Sequence, residues 1–362
     1  METRPFVPWK LMNDFIVDAF RAYGMPEEDA VVCADVILES DRRGIESHGC
    51  NRLKPIYLDR FENGTLLPTT NAEVIKETPT TVVVDAHDGS GMVASKKAMD
   101  IAIKKAKELG MGSAAVKNST HYGIAGYWIS MAAKNGLIGI CGTNARPAVA
   151  PVGGVENMLG TNALAIALPT DEEFPFSLDC ATSTVQRGNI EVWAREGKPT
   201  PEGAVIGHDG KYLTDSAQIL KDLLSGNAAL TPFAGYKGYG YSTVVEILSA
   251  ALVGGPFMRM LSGIDDNGGS KSYHLGHFFF LVSPEAFMGL ETFKRTAGEI
   301  CRQLRTSKKA PGCERIYTAG EKEYTAWLER KDKGVPLDAS VQAEILSVRD
   351  KLYLPYRFPF EV

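Results

Sequence analysis

The sequence predicts an α/β or α+β chain with helical regions at both ends. Three observations lead there. Amphipathic spacing of apolar residues fills roughly the first 65 positions and returns beyond about 285. Between them, apolar or alternating runs of strand length alternate with helical runs. Glycine-rich turns join several of these middle elements. With 362 residues, two or three domains are expected. The boundaries read as a helical region over 1–72, an α/β region over 73–284, and a helical region over 285–362 that packs on the first, since chain termini are often close in space.

Taken in order, "PEEDAVVCADVILESDRRG" opens with Pro26 and acidic residues, which suit a helix start, and runs into Gly44. Ser47 then stands where it would cap a second helix, "HGCNRLKPIYLDRFENG", which Pro55 must kink or break. "AEVIKETPTTVVVDAHDGSG" has the texture of strands, and "VASKKAMDIAIKKAKELG" that of an amphipathic helix closed by Gly110. "MGSAAVKNSTHYG" is a strand and loop, "IAGYWISMAAKNG" a helix and "LIGICGTN" a buried strand. "NALAIALPT", "FPFSLDCATS" and "YHLGHFFFLVSP" follow as strands, with "GYSTVVEILSAALVGG" an apolar helix before the last of them. Two C-terminal helices complete the pattern, "PEAFMGLETFKRTAGEICRQLRTS" and "SVQAEILSVRDKLYL".

A formal net charge of −5 argues against nucleic acid as a partner. No apolar run approaches the ~20 residues that span a bilayer, and "METRPFVPWKLMND" lacks the layout of a signal peptide. No membrane association and a cytoplasmic location are therefore expected. The six cysteines form no C-x-x-C pair and read as reduced thiols.

Four constellations could carry chemistry. In "SHGCNR", Arg52 follows His48 by four residues, so a helix would put both on one face. A helix start favours neutral imidazole and attracts anions. A neutral base beside a fixed cation suits oxidation of a 2-hydroxy acid: the guanidinium holds the carboxylate and the imidazole takes the hydroxyl proton. The competing reading is a plain capped surface helix. In "KNSTHYGIAGYW", His121 lies in a polar loop after a buried strand, where α/β proteins place reactive groups. "GTNARPAVAP" presents Thr143, Asn144 and Arg146 after the next strand. Lastly, "LGTNALAIALP", "LDCATSTVQRGNI" and "AGYKGYGYS" offer backbone N–H groups, and Lys237 a cation, to a dinucleotide phosphate. Neither G-x-G-x-x-G after a strand nor G-x-x-x-x-G-K-[ST] occurs. His274 and His277 in "HLGH" lack a third ligand at metal spacing, so no metal site is expected.

In this order these stretches, with "APVGGVENM" and "KGVPL", resemble the malate/L-lactate dehydrogenase family of the non-Rossmann type, whose relatives include ureidoglycolate dehydrogenase, diketogulonate reductase and sulfolactate dehydrogenase. The resemblance covers most of the chain. It implies a non-Rossmann NAD(P)-binding sheet domain with a helical domain built from the chain termini, hydride transfer between NAD or NADP and a 2-hydroxy or 2-keto acid, and a homodimer or an oligomer of dimers. It places acid–base roles on His48 and His121, with the choice between them open, and the substrate carboxylate on Arg52. Cofactor contacts fall on Ser47, on Asp179, Cys180, Ala181, Thr182, Ser183, Thr184 and Val185, on Tyr236, Lys237 and Gly238, and on Ala319, Gly320 and Glu321.

Three departures from the family pattern stand out. A substrate tyrosine four residues after the arginine is replaced by Ile56 with Tyr57 next to it, as though Pro55 belonged to a one-residue shift. Tyr236 stands where histidine usually precedes the lysine, and Ala319 where proline usually opens the last motif. The "TNARP" form resembles the malate and sulfolactate branch, so Arg146 is expected to meet a second anionic group, and (S)-malate/oxaloacetate is the expected pair. The rivals are L-lactate, sulfolactate, ureidoglycolate or a cyclic imino acid on the same fold and, from another class, a nucleotide-binding regulator without catalysis.

Overall fold

Seven strands of the middle region assemble into one mixed sheet in a computed structural model that describes residues 4–361. The chain enters through β1 (Phe6–Val7), α1 (Trp9–Ala22) and α2 (Glu27–Arg42), then passes irregular turns to the short α3 (Asp59–Glu62). β2 (Glu73–Glu77), β3 (Thr81–Asp85), α4 (Gly91–Leu109), β4 (Met111–Ser119), α5 (Ala125–Lys134), β5 (Ile138–Thr143), β6 (Leu164–Leu168) and β7 (Phe176–Cys180) follow. A smaller unit holds α6 (Arg187–Arg195), β8 (Val205–Gly207), α7 (Ser216–Ser225) and β9 (Ala228–Leu230). After α8 (Tyr236–Ala251) and β10 (Leu275–Val282), the chain ends in α9 (Leu290–Thr306), α10 (Glu321–Arg330), β11 (Val335–Pro336) and α11 (Ala339–Lys351).

The sheet order is β2-β3-β4-β10-β5-β6-β7. Only β3 and β4 run parallel; every other pairing is antiparallel. Such a sheet has no repeated βαβ crossovers, which accounts for the missing Rossmann fingerprint. Strand alternation sorts its two faces. Phe279 joins the main core with Trp128 on the side covered by α4 and α5. On the other side a side chain at Gly276 would collide with the Ser249 backbone, so α8 packs directly on β10. Because β10, β5, β6 and β7 alternate in direction, Ser119, Thr143, Leu164, Cys180 and Leu275 all lie along one rim of the sheet.

The two ends of the chain are tied together over the α4–α5 side. β1 pairs with β11, Phe6 opposite Pro336 and Val7 opposite Val335. Phe15 packs edge-on against Tyr356 and Phe358, the Trp9 indole donates to the Arg330 carbonyl, and Arg330 reaches Glu46 at 2.6 Å. Burial of such aromatic surface contributes roughly 2–3 kcal/mol per side chain. The smaller unit has its own core, with Val149, Leu159, Ile190, Val205, Ile219 and Leu230. The sequence reading did not separate that unit.

The expected second helix over 47–64 is not continuous. Glu46–His48 and Cys50–Arg52 are single 3₁₀ turns, Leu53–Leu58 is a π-turn, and only α3 is α-helical. Gly49 interrupts the run in an extended conformation (φ −90°, ψ −141°). Its Cα rests against the Asp41 carboxylate, where any side chain would collide, and Asp41 Oδ2 accepts the Cys50 N–H at 2.8 Å. Burial pushes the Asp41 carboxyl up to about 7, against the pull of the Cys50 hydrogen bond. The π-turn takes up one extra residue. Pro55 lies near its start, where a missing N–H costs little.

Candidate active site

Ser47 does not cap a helix. Its Oγ lies 3.0 Å from His48 Nδ1, and its carbonyl accepts Arg52 Nε at 2.6 Å. Ser47 thus holds the histidine with its side chain and the arginine with its backbone. The His48 ring stacks on His121, with centroids 5.7 Å apart and planes 20° apart.

His121 is delivered from the other side. It follows β4, and the chain then turns at Gly123 into α5; Gly123 has φ +81° and no room for a Cβ beside Val36. Tyr57 reaches it from the π-turn, its hydroxyl 2.7 Å from His121 Nδ1. The one-residue shift seen in the sequence is therefore absorbed by the backbone, and the tyrosine still points into the site. The Gly123 N–H also donates to Nδ1, at 3.3 Å. An amide can only donate, so in the neutral ring Nδ1 carries the lone pair, Tyr57 donates to it, and Nε2 carries the hydrogen.

Both imidazoles are held neutral, though not by a helix end. Burial, then the Arg52 charge, pushes His48 down to about 4. His121 lies well below its ordinary value through burial, then the charges of His48, Arg60, Arg52 and His277. His277 itself is structural: it bonds Thr143 Oγ1 at 2.8 Å and Ser119 Oγ at 2.7 Å and stacks on Tyr122.

Arg52 and Arg146 have no carboxylate within ion-pair distance among the described residues, and neither does Arg60, a half-buried guanidinium that the sequence reading passed over. Arg60 follows Tyr57 by one turn, and its charge, like that of Arg52, helps to hold His121 neutral. Arg146 is exposed on the loop after β5. By contrast Arg42 and Arg43 are spent structurally. Arg42 pairs with Asp35 and Glu39; Arg43 pairs with Glu39 and donates to the Gly126 carbonyl and Ser130.

The three glycine- and threonine-rich loops meet along the rim. Thr182 N–H donates to the Thr161 carbonyl, the Phe233 N–H to the Thr182 carbonyl, and Gly238 N–H to the Phe233 carbonyl. Thr184 N–H bonds the Thr231 carbonyl, and Ser183 Oγ donates to the Val185 carbonyl. Tyr236 and Lys237 stand exposed at the first turn of α8, and Lys237 has no ion-pair partner among the described residues. Cys180 and Ala181 are half-buried at the rim, and Thr184 lines a cleft of about 300 Å³.

Asp179 and Gly320 sit elsewhere, on a cavity of about 980 Å³ between α2, α5, β7 and α10 that Arg43 and Ile45 also line. Asp179 Oδ2 accepts the Gly126 N–H at 2.6 Å. The Ala319 carbonyl accepts the Ser177 N–H, extending the edge of β7. Gly320, at φ +90°, is pressed against Pro175 and Ser177. The Glu321 side chain is buried in an ion pair with Arg315 and accepts the Thr318 N–H, so it anchors α10 and does not face the cavity.

A mixed, mostly antiparallel sheet with a neutral histidine pair beside an unpaired arginine at its rim defines a non-Rossmann dehydrogenase of 2-hydroxy acids. The family model for malate/L-lactate dehydrogenase matches residues 7–346, and the chain belongs to that family. It is 39% identical over 353 residues to a malate dehydrogenase of Pyrococcus horikoshii, covering 96% of this chain and 95% of that one. It is equally 39% identical over 339 residues to an L-sulfolactate dehydrogenase of Methanocaldococcus jannaschii, covering 94% and 95%. A crystal structure of malate dehydrogenase from Entamoeba histolytica superposes with a TM-score of 0.93 at 39% identity, covering 98% of this chain and all of that one.

Proposed function

We propose that this protein interconverts (S)-malate and oxaloacetate with NAD or NADP. The observation that carries the reading is the neutral His48–His121 pair beside Arg52, a guanidinium with no carboxylate of its own. Arg52 holds the substrate carboxylate in paired hydrogen bonds. Tyr57 and Gly123 hold His121 with Nε2 towards a substrate oxygen, and His48 stacks behind it; in malate oxidation the hydroxyl proton passes to a ring nitrogen of this pair that carries a lone pair as hydride leaves the carbon, and the imidazolium so formed returns it in oxaloacetate reduction. Arg146 closes over the distal acid group. The bound nicotinamide supplies the hydride acceptor or donor.

The chain's residues fit such a cofactor. The cavity beside Asp179 and Gly320 is lined by none of His48, Arg52, His121 or Lys237, so the rim loops are the part of the chain that would bring the nicotinamide to the histidine pair. Lys237 at the start of α8, next to the backbone of Ala181 to Val185, suits a phosphate. A second reading, L-sulfolactate, is favoured by the relative from Methanocaldococcus and needs the same two cations.

The working unit is a cytoplasmic homodimer. α8 is apolar on both sides: Val245 and Ala250 are buried on the sheet, while Tyr241, Val244, Ile247 and Leu252 are each about half exposed. A helix apolar all round belongs inside a larger core, which a second copy supplies.

Parallel absorbance assays of oxaloacetate, sulfopyruvate and pyruvate reduction, each with NADH and NADPH, test the reading. Oxaloacetate should have the highest kcat/KM, and Arg146→Ala should raise the KM for malate far more than that for lactate. Equal changes for both acids would remove the argument from Arg146.

A further inference from the structure

We infer that Arg60 binds the second anionic group of the substrate beneath Arg146 and is a further residue that separates two-anion from one-anion 2-hydroxy acids. This rests on the dehydrogenase reading above and assigns the buried half of its specificity. Arg60 follows Tyr57 by three residues at the junction of the π-turn and α3, so the turn that aims the Tyr57 hydroxyl at His121 also sets the direction of Arg60.

Its half-buried guanidinium has no acceptor from the protein. No hydrogen bond or ion pair from it forms among the described residues. The carboxylate next door, Asp59, is taken by Lys54 at 2.8 Å. Burial disfavours the Arg60 charge, and Arg146 repels it. A cation kept in that condition beside the candidate proton-transfer pair lacks a counter-charge that a ligand can provide.

The group is also fixed in place. It lies against the Tyr273 ring, 4.5 Å from the centroid. The neighbour of Tyr273, Ser272, is tied down, Oγ donating to the Thr65 carbonyl at 3.1 Å, and on the other side His274 Nδ1 lies 2.7 Å from Asp88 Oδ1. Stacking covers one face of the guanidinium and leaves its edge of N–H donors, the geometry that grips an oxyanion in two parallel hydrogen bonds. Arg146, exposed on its loop, has no such support. The two arginines therefore differ in task. Arg60 is the fixed receptor for the distal charge, and Arg146 is the outer cation that covers it.

Binding of succinate, 3-sulfopropionate and propionate to wild type, Arg60→Gln, Arg60→Lys and Arg146→Gln tests this by titration calorimetry, with NADH or NADPH at saturation. Loss of a charge-assisted pair should weaken both dianions on the order of 10- to 100-fold in Arg60→Gln, with propionate changed by less than about 3-fold. Arg60→Lys should recover part of the loss, because the charge returns without the fork. Tyr273→Leu, which keeps the charge but frees the arginine, should weaken the dianions several-fold and spare propionate; it also serves if Arg60→Gln does not fold.

Equal losses for propionate and succinate, unchanged succinate binding in Arg60→Gln, or a wild type that does not prefer succinate would each overturn the assignment. Oxaloacetate turnover by the wild type is read separately. Its absence, with dianion binding still dependent on Arg60, would sink the malate reading and leave the Arg60 assignment standing.

Discussion

Replacing Tyr57 by phenylalanine removes one oxygen and one hydrogen bond, the 2.7 Å contact to His121 Nδ1, from a fully buried position. Tyr57 donates to a lone pair that exists only on the neutral ring, so the bond favours neutral His121. A buried neutral hydrogen bond contributes about 1 kcal/mol. At about 1.4 kcal/mol per pKa unit, its loss should move the His121 titration upward by roughly 0.7 units. If His121 transfers the proton, the corresponding limb of the kcat/KM profile moves by that amount. kcat falls about 5-fold from the same free energy, and more where the ring loses its orientation. The assay is the pH dependence of malate oxidation in both proteins, with the melting temperature as a control. A profile that does not move, with kcat within 2-fold of wild type, would refute the view that this tyrosine governs a catalytic imidazole.

Three further outcomes are expected. His121→Asn should lower kcat on the order of 10²-fold, whereas a change confined to KM there, with the kcat loss in His48→Asn, would move proton transfer to His48. The folded pKa values of His48, His121 and His277 all lie below the ordinary 6.5, so the unfolded chain takes up protons first on acidification. The three together lower stability as pH drops from about 6.5 towards 4, by up to about 4 kcal/mol per pH unit, and the buried Asp41 carboxyl, raised to about 7, offsets up to about 1.4 kcal/mol of that per unit; urea denaturation at pH 7 and pH 5.5 measures the net fall, and equal midpoints would contradict it. Ile247→Asp places a charge on the exposed stripe of α8 and should yield monomers in size-exclusion chromatography without lowering the helix content seen by circular dichroism.

Much of the site was readable along the chain because its residues stand at strand ends. His121 and Thr143 stand at the ends of apolar runs that read as buried strands, Cys180 at the end of a run that reads as a strand, and antiparallel neighbours bring those ends to one rim. The turn around His48 was misread for a local reason. Apolar spacing over 47–64 fits a helix, but Gly49 must stay extended to clear Asp41, and that contact lies outside the run. Tyr57 next to Ile56 announced an extra residue, while the π-turn that absorbs it had no separate signal. Arg60 looked like one charge on a solvated face, because its distinguishing feature is the absence of a partner. The unit around Ile190 and Ile219 escaped notice since short elements with few apolar residues close a core only with Val149 and Leu159 from another part of the chain.

The pairing of Phe6 with Pro336 carries a consequence for the order of assembly. During synthesis the segment bearing His48 leaves the ribosome well before its clamp to Arg330 and the β11 strand, since Arg330 lies 284 positions beyond Glu46. The sheet and its rim, with His121 in place, can form while the chain is still growing. Contacts between such distant positions carry a large loop-closure cost and form slowly. A nascent chain should thus expose the apolar faces of α1 and α2 until Arg330 and β11 emerge, and acquire catalytic competence only after that.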